Sequence, residues 1–306
     1  MEFIRRDLNI DFVGKRRMWV TISVTIILIG LLSIVLHGGL KYGLDFTGGD
    51  QIQLHFENPE GIGNIRNVMS SINLGASEVK IYGEPNDILV TFQGTGDIQE
   101  TQKTILTALS QRFSGNIIRI DRVEHVSAKV GGELRRNAVI AVLISMFFMI
   151  FYIGWRFDFR FGLGAILALF HDVLITIGVF SVLNKEITLT IVAALLTIVG
   201  YSINDTIIIC DRIRENMKVM RRENFLTIIN KSINQTLSRT IITSGATLLS
   251  IVVLFFAGSE VVRDFSFAMI VGIITGTYSS VYIATPLVIM MEDWKARRKK
   301  IRQQLA

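Results

Sequence analysis

Long apolar runs alternate with short polar connectors along most of the chain, and a single polar block of 100 residues, His37 to Arg136, interrupts them. Six runs, Trp19 to Leu36, Asn137 to Trp155, Phe161 to Leu183, Ile187 to Cys210, Thr240 to Ser259 and Phe265 to Met291, hold 131 residues and only two formal charges, Asp172 and Asp205. Each reaches the roughly 18 residues that a helix needs to cross hydrocarbon. The pattern predicts an α-helical polytopic membrane protein: a tail over 1–18, spans at 19–36, 137–155, 161–183, 187–210, 239–259 and 265–291, a cytoplasmic loop and amphipathic helix over 211–238, with Phe225, Ile229, Ile233 and Leu237 on the helix's apolar face, and a basic tail over 292–306.

Within the polar block the periodicity shifts between two and 3.6. It predicts strand 51–56, helix 60–72, strand 78–82, strand 88–93, helix 98–113 and strand 117–126. That order, β-α-β-β-α-β, is the ferredoxin-like one, with helices on one face of the sheet and the other face open to a partner. Gly75 and Gly115 read as helix stops, Asp97 as the cap of the second helix, and Glu84-Pro85-Asn86-Asp87 as the turn between strands two and three. Before the first strand, Gly43-Leu44-Asp45-Phe46-Thr47-Gly48-Gly49 has the glycines of a phosphate loop but neither its lysine nor its helix. It reads as a tight structural turn built on Gly43, Asp45, Gly48 and Gly49.

Composition sharpens this picture. Half of the 306 residues are apolar and 19% are charged, against about 25% in soluble domains. Disorder, collagen, coiled coil and a disulfide-stapled scaffold are excluded. Cys210 is the single cysteine, so neither an intramolecular disulfide nor a cysteine metal cluster is available. The first span reads as an anchor and not as a cleaved signal, because its 18 uncharged residues exceed an ordinary signal core.

The net charge of +6 is a matter of location. The tail before Trp19 carries +2, Arg156 to Arg160 +1, Asp211 to Arg239 +4 and the tail after Met291 +4, whereas the opposite side is neutral to acidic. This obeys the positive-inside rule, puts both termini in the cytoplasm, and explains the basic excess without nucleic acid.

Charges in hydrocarbon cost roughly 2.5–3.5 kcal/mol at mid-helix and seldom persist without a task. Asp205, in Gly200-Tyr201-Ser202-Ile203-Asn204-Asp205-Thr206, is ~8 Å from the cytoplasmic end of its span. Arg239 begins the fifth span at a similar depth, so the two are expected to face each other. Ser232, Gln235, Arg239, Thr243, Thr247 and Ser250 recur at three- and four-residue spacing and form a polar stripe expected to line the bundle interior or a hydrated path. The candidate coupling set is therefore Asp205, Arg239, Asn204, Ser202, Gln235 and Thr243. Its chemistry would be carboxylate protonation, with burial opposing the charge and the guanidinium favouring it. One charge crossing the membrane is worth about 2.3 kcal/mol per 100 mV. The alternative is a static buried pair that fixes packing.

His171 and Asp172, in the third span, are a second polar pair, equally open to a functional or a packing role. Asp172 continues a seam of Gly164, Ala168 and Thr176. In the last span Ala268, Gly272, Gly276, Ser280 and Ala284 form a small-residue seam for close helix approach. Catalysis has no support: H-E-x-x-H, G-x-S-x-G and a Walker lysine are all missing. An intramembrane protease using Asp172 and Asp205 is disfavoured by their different depths.

The motifs GLDFTGG at Gly43, FHD at Phe170, GYSINDT at Gly200, DRIRE at Asp211 and SINQTLSRT at Ser232, in this order of spans and polar block, resemble the SecF family of the bacterial Sec protein-export machinery (SecD/SecF, RND-like superfamily). The resemblance covers nearly the whole chain. It implies half of an RND-like bundle completed by SecD, in the bacterial inner membrane, with a ferredoxin-like periplasmic domain. It further implies work with SecYEG, YajC and YidC on preproteins, driven by a proton or sodium gradient and no cofactor. Asp205 would be the ion-binding carboxylate and Arg239 its cationic partner. Two other readings stay open: an RND-like small-molecule exporter, which would carry a larger periplasmic domain, and a passive scaffold for the translocon.

Overall fold

The computed structural model describes residues 9–93 and 97–304, with side chains at all of these except 296 and 299–304. Parts of the two predicted tails, residues 1–8 and 305–306, lie outside the described residues. The chain divides into two compact units, 42–140 and the remainder.

The first unit is α+β. Its elements are α2 (Leu44–Thr47), β1 (Gly49–Phe56), α3 (Ile62–Ser71), β2 (Glu78–Tyr82), β3 (Glu84–Phe92), α4 (Ile98–Arg112) and β4 (Ile118–Val126). The strands form one sheet in the order β2-β3-β1-β4, and every neighbouring pair is antiparallel. Alternation decides which face is covered. Ile52, Leu54 and Phe56 of β1 and Ile88, Val90 and Phe92 of β3 are buried at a spacing of two, against Ile65, Val68 and Met69 of α3 and Ile105 and Leu109 of α4. Each such side chain contributes roughly 1.5–3 kcal/mol on burial, so this shared apolar layer holds both helices on one face. The other face of β1 presents Gln51, Gln53 and His55.

The cap at Asp97 forms as predicted, its carboxylate accepting from Gln99 N at 2.9 Å. Two predicted stops move. α3 ends at Ser71, and the left-handed residue after it is Asn73 (φ 60°), not Gly75. Between β2 and β3 the chain reverses at Gly83 (φ 81°), so Glu84 to Asp87 belong to β3 and are not the turn. A single glycine that tolerates positive φ makes a shorter reversal than the four polar residues suggested.

The predicted glycine turn is a single helical turn, α2, flanked by Gly43 and Gly48. Gly48 (φ 69°) and Gly49 (φ 128°) carry the chain into β1. A Cβ on Gly48 would stand 2.6 Å from Ala128 Cα, and one on Gly49 2.7 Å from Phe92 O. The motif is a place of backbone contact.

The second unit is helical: α1 (Arg16–Leu36), α5 (Ala128–Arg156, which starts in the first unit), α6 (Phe159–Val182), α7 (Leu189–Val219), α8 (Phe225–Ala257), α9 (Glu260–Ser279) and α10 (Thr285–Gln304). Six stretches are long and apolar enough to cross a membrane, the sixth running from α9 into α10. In the 211–238 segment the amphipathic helix is present as the start of α8, and the loop is shorter than expected. α7 continues through Val219, α8 starts at Phe225, and only 220–224 join them. The polar ends stay helical because they pair: Asn216 Nδ2 donates to Ser232 Oγ and Gln235 Oε1, both at 2.8 Å, and Arg212 bonds Gln235 and Glu215. Asn230 and Asn234 of α8 in turn bond the backbone of Ile10 and Phe12 at 2.9–3.0 Å, strapping the N-terminal segment to that helix.

α6, α7 and the span running from α9 into α10 are the buried ones, and α1, α5 and α8 are largely exposed. Glycines set the closest approaches. A Cβ on Gly272 would strike the Ile198 side chain at 2.3 Å, one on Gly276 would meet Ser202 Cβ at 3.0 Å, and one on Gly164 would stand 2.8 Å from Ala284 O. Gly30 of α1 and Gly178 of α6 touch backbone to backbone, and one turn on Ser33 and Ser181 share a 2.9 Å hydrogen bond.

Between α9 and α10, Ser280–Ala284 forms a wide π-turn. Pro286 follows two residues later, lacks an N–H and would crowd the carbonyl four residues back in a regular helix. The wider turn relieves this, and Thr285 Oγ1 donates to Val281 O at 2.5 Å.

Candidate functional site

Two carboxylates lie inside the helical unit, and the structure gives them different surroundings. Asp172 of α6 is 1% exposed. It accepts from Ser202 Oγ of α7 at 2.5 Å and from Ser279 Oγ of α9 at 2.8 Å, and its other oxygen faces His171 Nδ1 at 2.8 Å. Three helices are tied at one side chain.

Asp205 of α7 is 2% exposed and accepts a single protein hydrogen bond, from Ser244 Oγ of α8 at 3.2 Å. Ser244 in turn accepts from Thr277 Oγ1 of α9 at 2.9 Å. A carboxylate has about four lone-pair sites, so Asp205 is under-bonded where Asp172 is nearly saturated. Thr240 Oγ1, one turn from Ser244 on the same face of α8, is buried and has no partner among the described residues.

The predicted pairing of Asp205 with Arg239 needs correction. Arg239 is exposed, and among the described residues no ion pair within 4 Å joins it to Asp205. The polar stripe is also turned by one residue. The buried line of α8 is Ser232, Thr236, Thr240 and Ser244, whereas Gln235 and Arg239 face a cleft of about 560 Å³ shared with Asn204, Asp211, Arg212 and Glu215. Thr243 Oγ1 bonds the carbonyls of Arg239 and Thr240 within its own helix. An arginine caps a long side chain with its charge outward, so its Cα marks the rim of the cleft and not the interior.

The six predicted coupling residues thus divide. Asp205 is interior, Asn204, Gln235 and Arg239 line the cleft beside it, Thr243 is satisfied locally, and Ser202 belongs to Asp172. Ser244, Thr277 and Ser279 complete the two sites and were not singled out by spacing alone. Their signal is present but faint: Ser244 continues the four-residue line from Thr236 and Thr240, and Ser279 adjoins the small-residue seam.

The arrangement can hold a proton or small cation at Asp205, with hydroxyls on the interior side and a cleft lined by charged and polar side chains on the other. Comparison with known proteins agrees with the architecture. The family described as "Protein export membrane protein SecD/SecF, C-terminal" matches residues 105–294, and the SecD/SecF GG motif matches residues 34–60, around Gly48 and Gly49. The chain is 42% identical to the protein translocase subunit SecF of Calditerrivibrio nitroreducens, over 97% of this chain and 99% of that one. It is 43% identical to the SecF subunit of Rhodothermus marinus, over 97% and 98%. The crystal structure of SecDF from Thermus thermophilus, a translocon-associated membrane protein, superimposes with a TM-score of 0.86 at 36% identity, covering 95% of this chain. The chain spans 40% of the length of that SecDF polypeptide. With six membrane-length helices, the glycine motif and this likeness along almost its entire length, the chain belongs to the SecD/SecF family of protein-export membrane proteins.

Proposed function

We propose that this protein is the SecF-like half of a membrane complex that uses a proton gradient, with sodium as the second candidate ion, to complete protein export across the bacterial inner membrane. The observation that carries the reading is Asp205: a buried carboxylate with one long hydroxyl bond, beside a cleft lined by Asn204, Gln235 and Arg239. A buried carboxylate so poorly solvated by protein gains most from taking up a cation. Arg239, unbonded to it, supplies a field that a change in hydration or helix spacing can strengthen or weaken. The charge state of Asp205 can then differ between conformations, which is the requirement for coupling.

SecD is the expected partner, because α1, α5 and α8 present apolar surface, with Phe147, Phe151 and Trp155 of α5 each more than 60% exposed, and lipid or a second half-bundle must cover it. SecYEG, YajC, YidC and preproteins are the further partners in this reading. The basic segments put both termini in the cytoplasm and the α+β unit in the periplasm. No step of covalent catalysis is assigned to the subunit, and the ion gradient stands where a cofactor would.

The test is export into inverted membrane vesicles with purified partners, the pH and sodium gradients imposed separately. Asp205→Asn should assemble normally and lose the gradient-dependent part of export. Full gradient-dependent export by that variant would overturn the proposal.

A further inference from the structure

The Asp172 cluster is not used in that reading, yet it contains the most conspicuous unfilled hydrogen-bonding position in the bundle. His171 is 5% exposed, its Nδ1 is held by Asp172, and its Nε2 is buried with no partner among the described residues. The groups around it are few. α9 offers the ring of Tyr278, centroid to centroid at 6.0 Å, but the Tyr278 hydroxyl is engaged with Trp19 O and Ser23 Oγ, both at 2.6 Å. The wide turn adds Tyr282, stacked on Tyr278. α7 carries Tyr201 and Asp205, the latter bonded towards α8, and α1 has no charged residue between Trp19 and Leu36. Asp172 is therefore the one acidic group in hydrogen-bond contact with the imidazole.

The chemistry follows from counting charges and donors. Two hydroxyls donate to Asp172, and His171 Nδ1 is the third donor in the tautomer that carries its proton there, the arrangement that solvates an anion. With neutral His171 donating from Nδ1, the cluster carries one uncompensated negative charge in an apolar bundle, which is costly. A proton on Nε2 turns the imidazole into a cation against a fixed anion and cancels that charge. Because Nδ1 is committed to the carboxylate, Nε2 is the atom at which the proton comes and goes.

We infer that His171 Nε2 is a second proton-binding position in this bundle, separate from Asp205, with Asp172 as its counter-anion and Ser202 and Ser279 holding that anion in place. The proton is exchanged with a water molecule at Nε2, and no bond other than N–H forms or breaks. Asp172 and the two serines are positioning residues. The site does not depend on Asp205 being the coupling group. The two are nonetheless mechanically related: Ser202 and Asp205 are three residues apart on α7, Ser279 and Thr277 two apart on α9, so a displacement of α9 against α7 reaches both.

The experiment is solid-state nitrogen NMR of the full-length chain in lipid bilayers, with ¹⁵N-labelled histidine, across pH 5 to 9. The protein has four histidines, and His171→Gln identifies the signal. The expected result is a histidine whose Nδ1 stays protonated throughout while Nε2 passes from protonated to bare in one step. Asp172→Asn should weaken proton binding at that nitrogen roughly tenfold or more. A wild-type Nε2 that keeps one state across the range, or titration at Nδ1 instead, overturns the inference, and the wild-type measurement decides this even if the variant fails to fold. An unchanged midpoint in a folded Asp172→Asn variant overturns the role of Asp172.

Discussion

Gly30→Ala tests whether α1 is docked on the bundle by backbone contact. A Cβ at position 30 would lie 2.7 Å from Gly178 Cα, and backbone cannot rotate aside. Restoring an ordinary carbon–carbon separation requires the helices to part by about 1 Å. The Ser33–Ser181 bond, 2.9 Å long and one turn away, would then be stretched beyond hydrogen-bonding range. Overpacking costs about 1–3 kcal/mol and the lost intramembrane hydrogen bond about 0.6 kcal/mol. The sum, about 1.6–3.6 kcal/mol, is a fall of roughly 15- to 400-fold in the folding equilibrium. The assay is equilibrium unfolding in mixed micelles, with a cysteine pair at Ser33 and Ser181 as a reporter of separation; oxidative cross-linking of that pair should slow in Gly30→Ala. Two controls sit in the same unit. Gly154 and Gly245 are helical with nothing within 4 Å of an added Cβ, so alanine there should be neutral or stabilising by up to about 1 kcal/mol. If Gly30→Ala unfolds like Gly245→Ala and cross-linking is undiminished, the backbone contact is not real.

Two further expectations are local. Gly48→Ala combines φ 69° and ψ 172°, a backbone region open essentially to glycine, with a 2.6 Å approach to Ala128 Cα, so it should destabilise the α+β unit by about 1–3 kcal/mol from the backbone alone, seen as faster amide exchange in β1, while Gly63→Ala and Gly132→Ala, with open space around them, should not. Asn216→Ala removes a buried donor shared by Ser232 and Gln235 and should cost about 1–3 kcal/mol in unfolding experiments, whereas Glu215→Ala, an exposed ion-pair partner, should cost less than about 1 kcal/mol.

How much of this was legible beforehand depends on which physical rule governs each feature. Hydrocarbon thickness imposes a length, so six spans are readable from apolar runs, and period-two alternation with the Asp97 cap makes the β-α-β-β-α-β order readable as well. Helix ends are less so. The amphipathic helix within 211–238 is readable from its apolar face, but the short loop at 220–224 is not, because pairing of Asn216, Arg212 and Gln235 prolongs the helices and such pairs are invisible until two helices are side by side. The same limit explains the site. Cost in hydrocarbon singles out Asp172 and Asp205, but a helical face is known from sequence only to within a residue. Spacing therefore points the stripe through Arg239 inward, whereas the neighbouring line, Thr236, Thr240 and Ser244, is the buried one. Ser202 sits three residues from Asp205 yet bonds Asp172, because its helix presents those positions to different neighbours.

The wide turn at Ser280–Ala284 settles a problem of phase. Ser279 reaches Asp172 and Ala284 meets Gly164, both on α6. Five residues of ordinary α-helix leave two positions about 140° apart around the axis, too far round to address the same neighbour. A turn closed between residues five apart brings them back into line. The extra residue thus lets one span hold α6 at two levels, by a hydroxyl above and a bare backbone below, while Gly272 and Gly276 of the same span keep their places against α7.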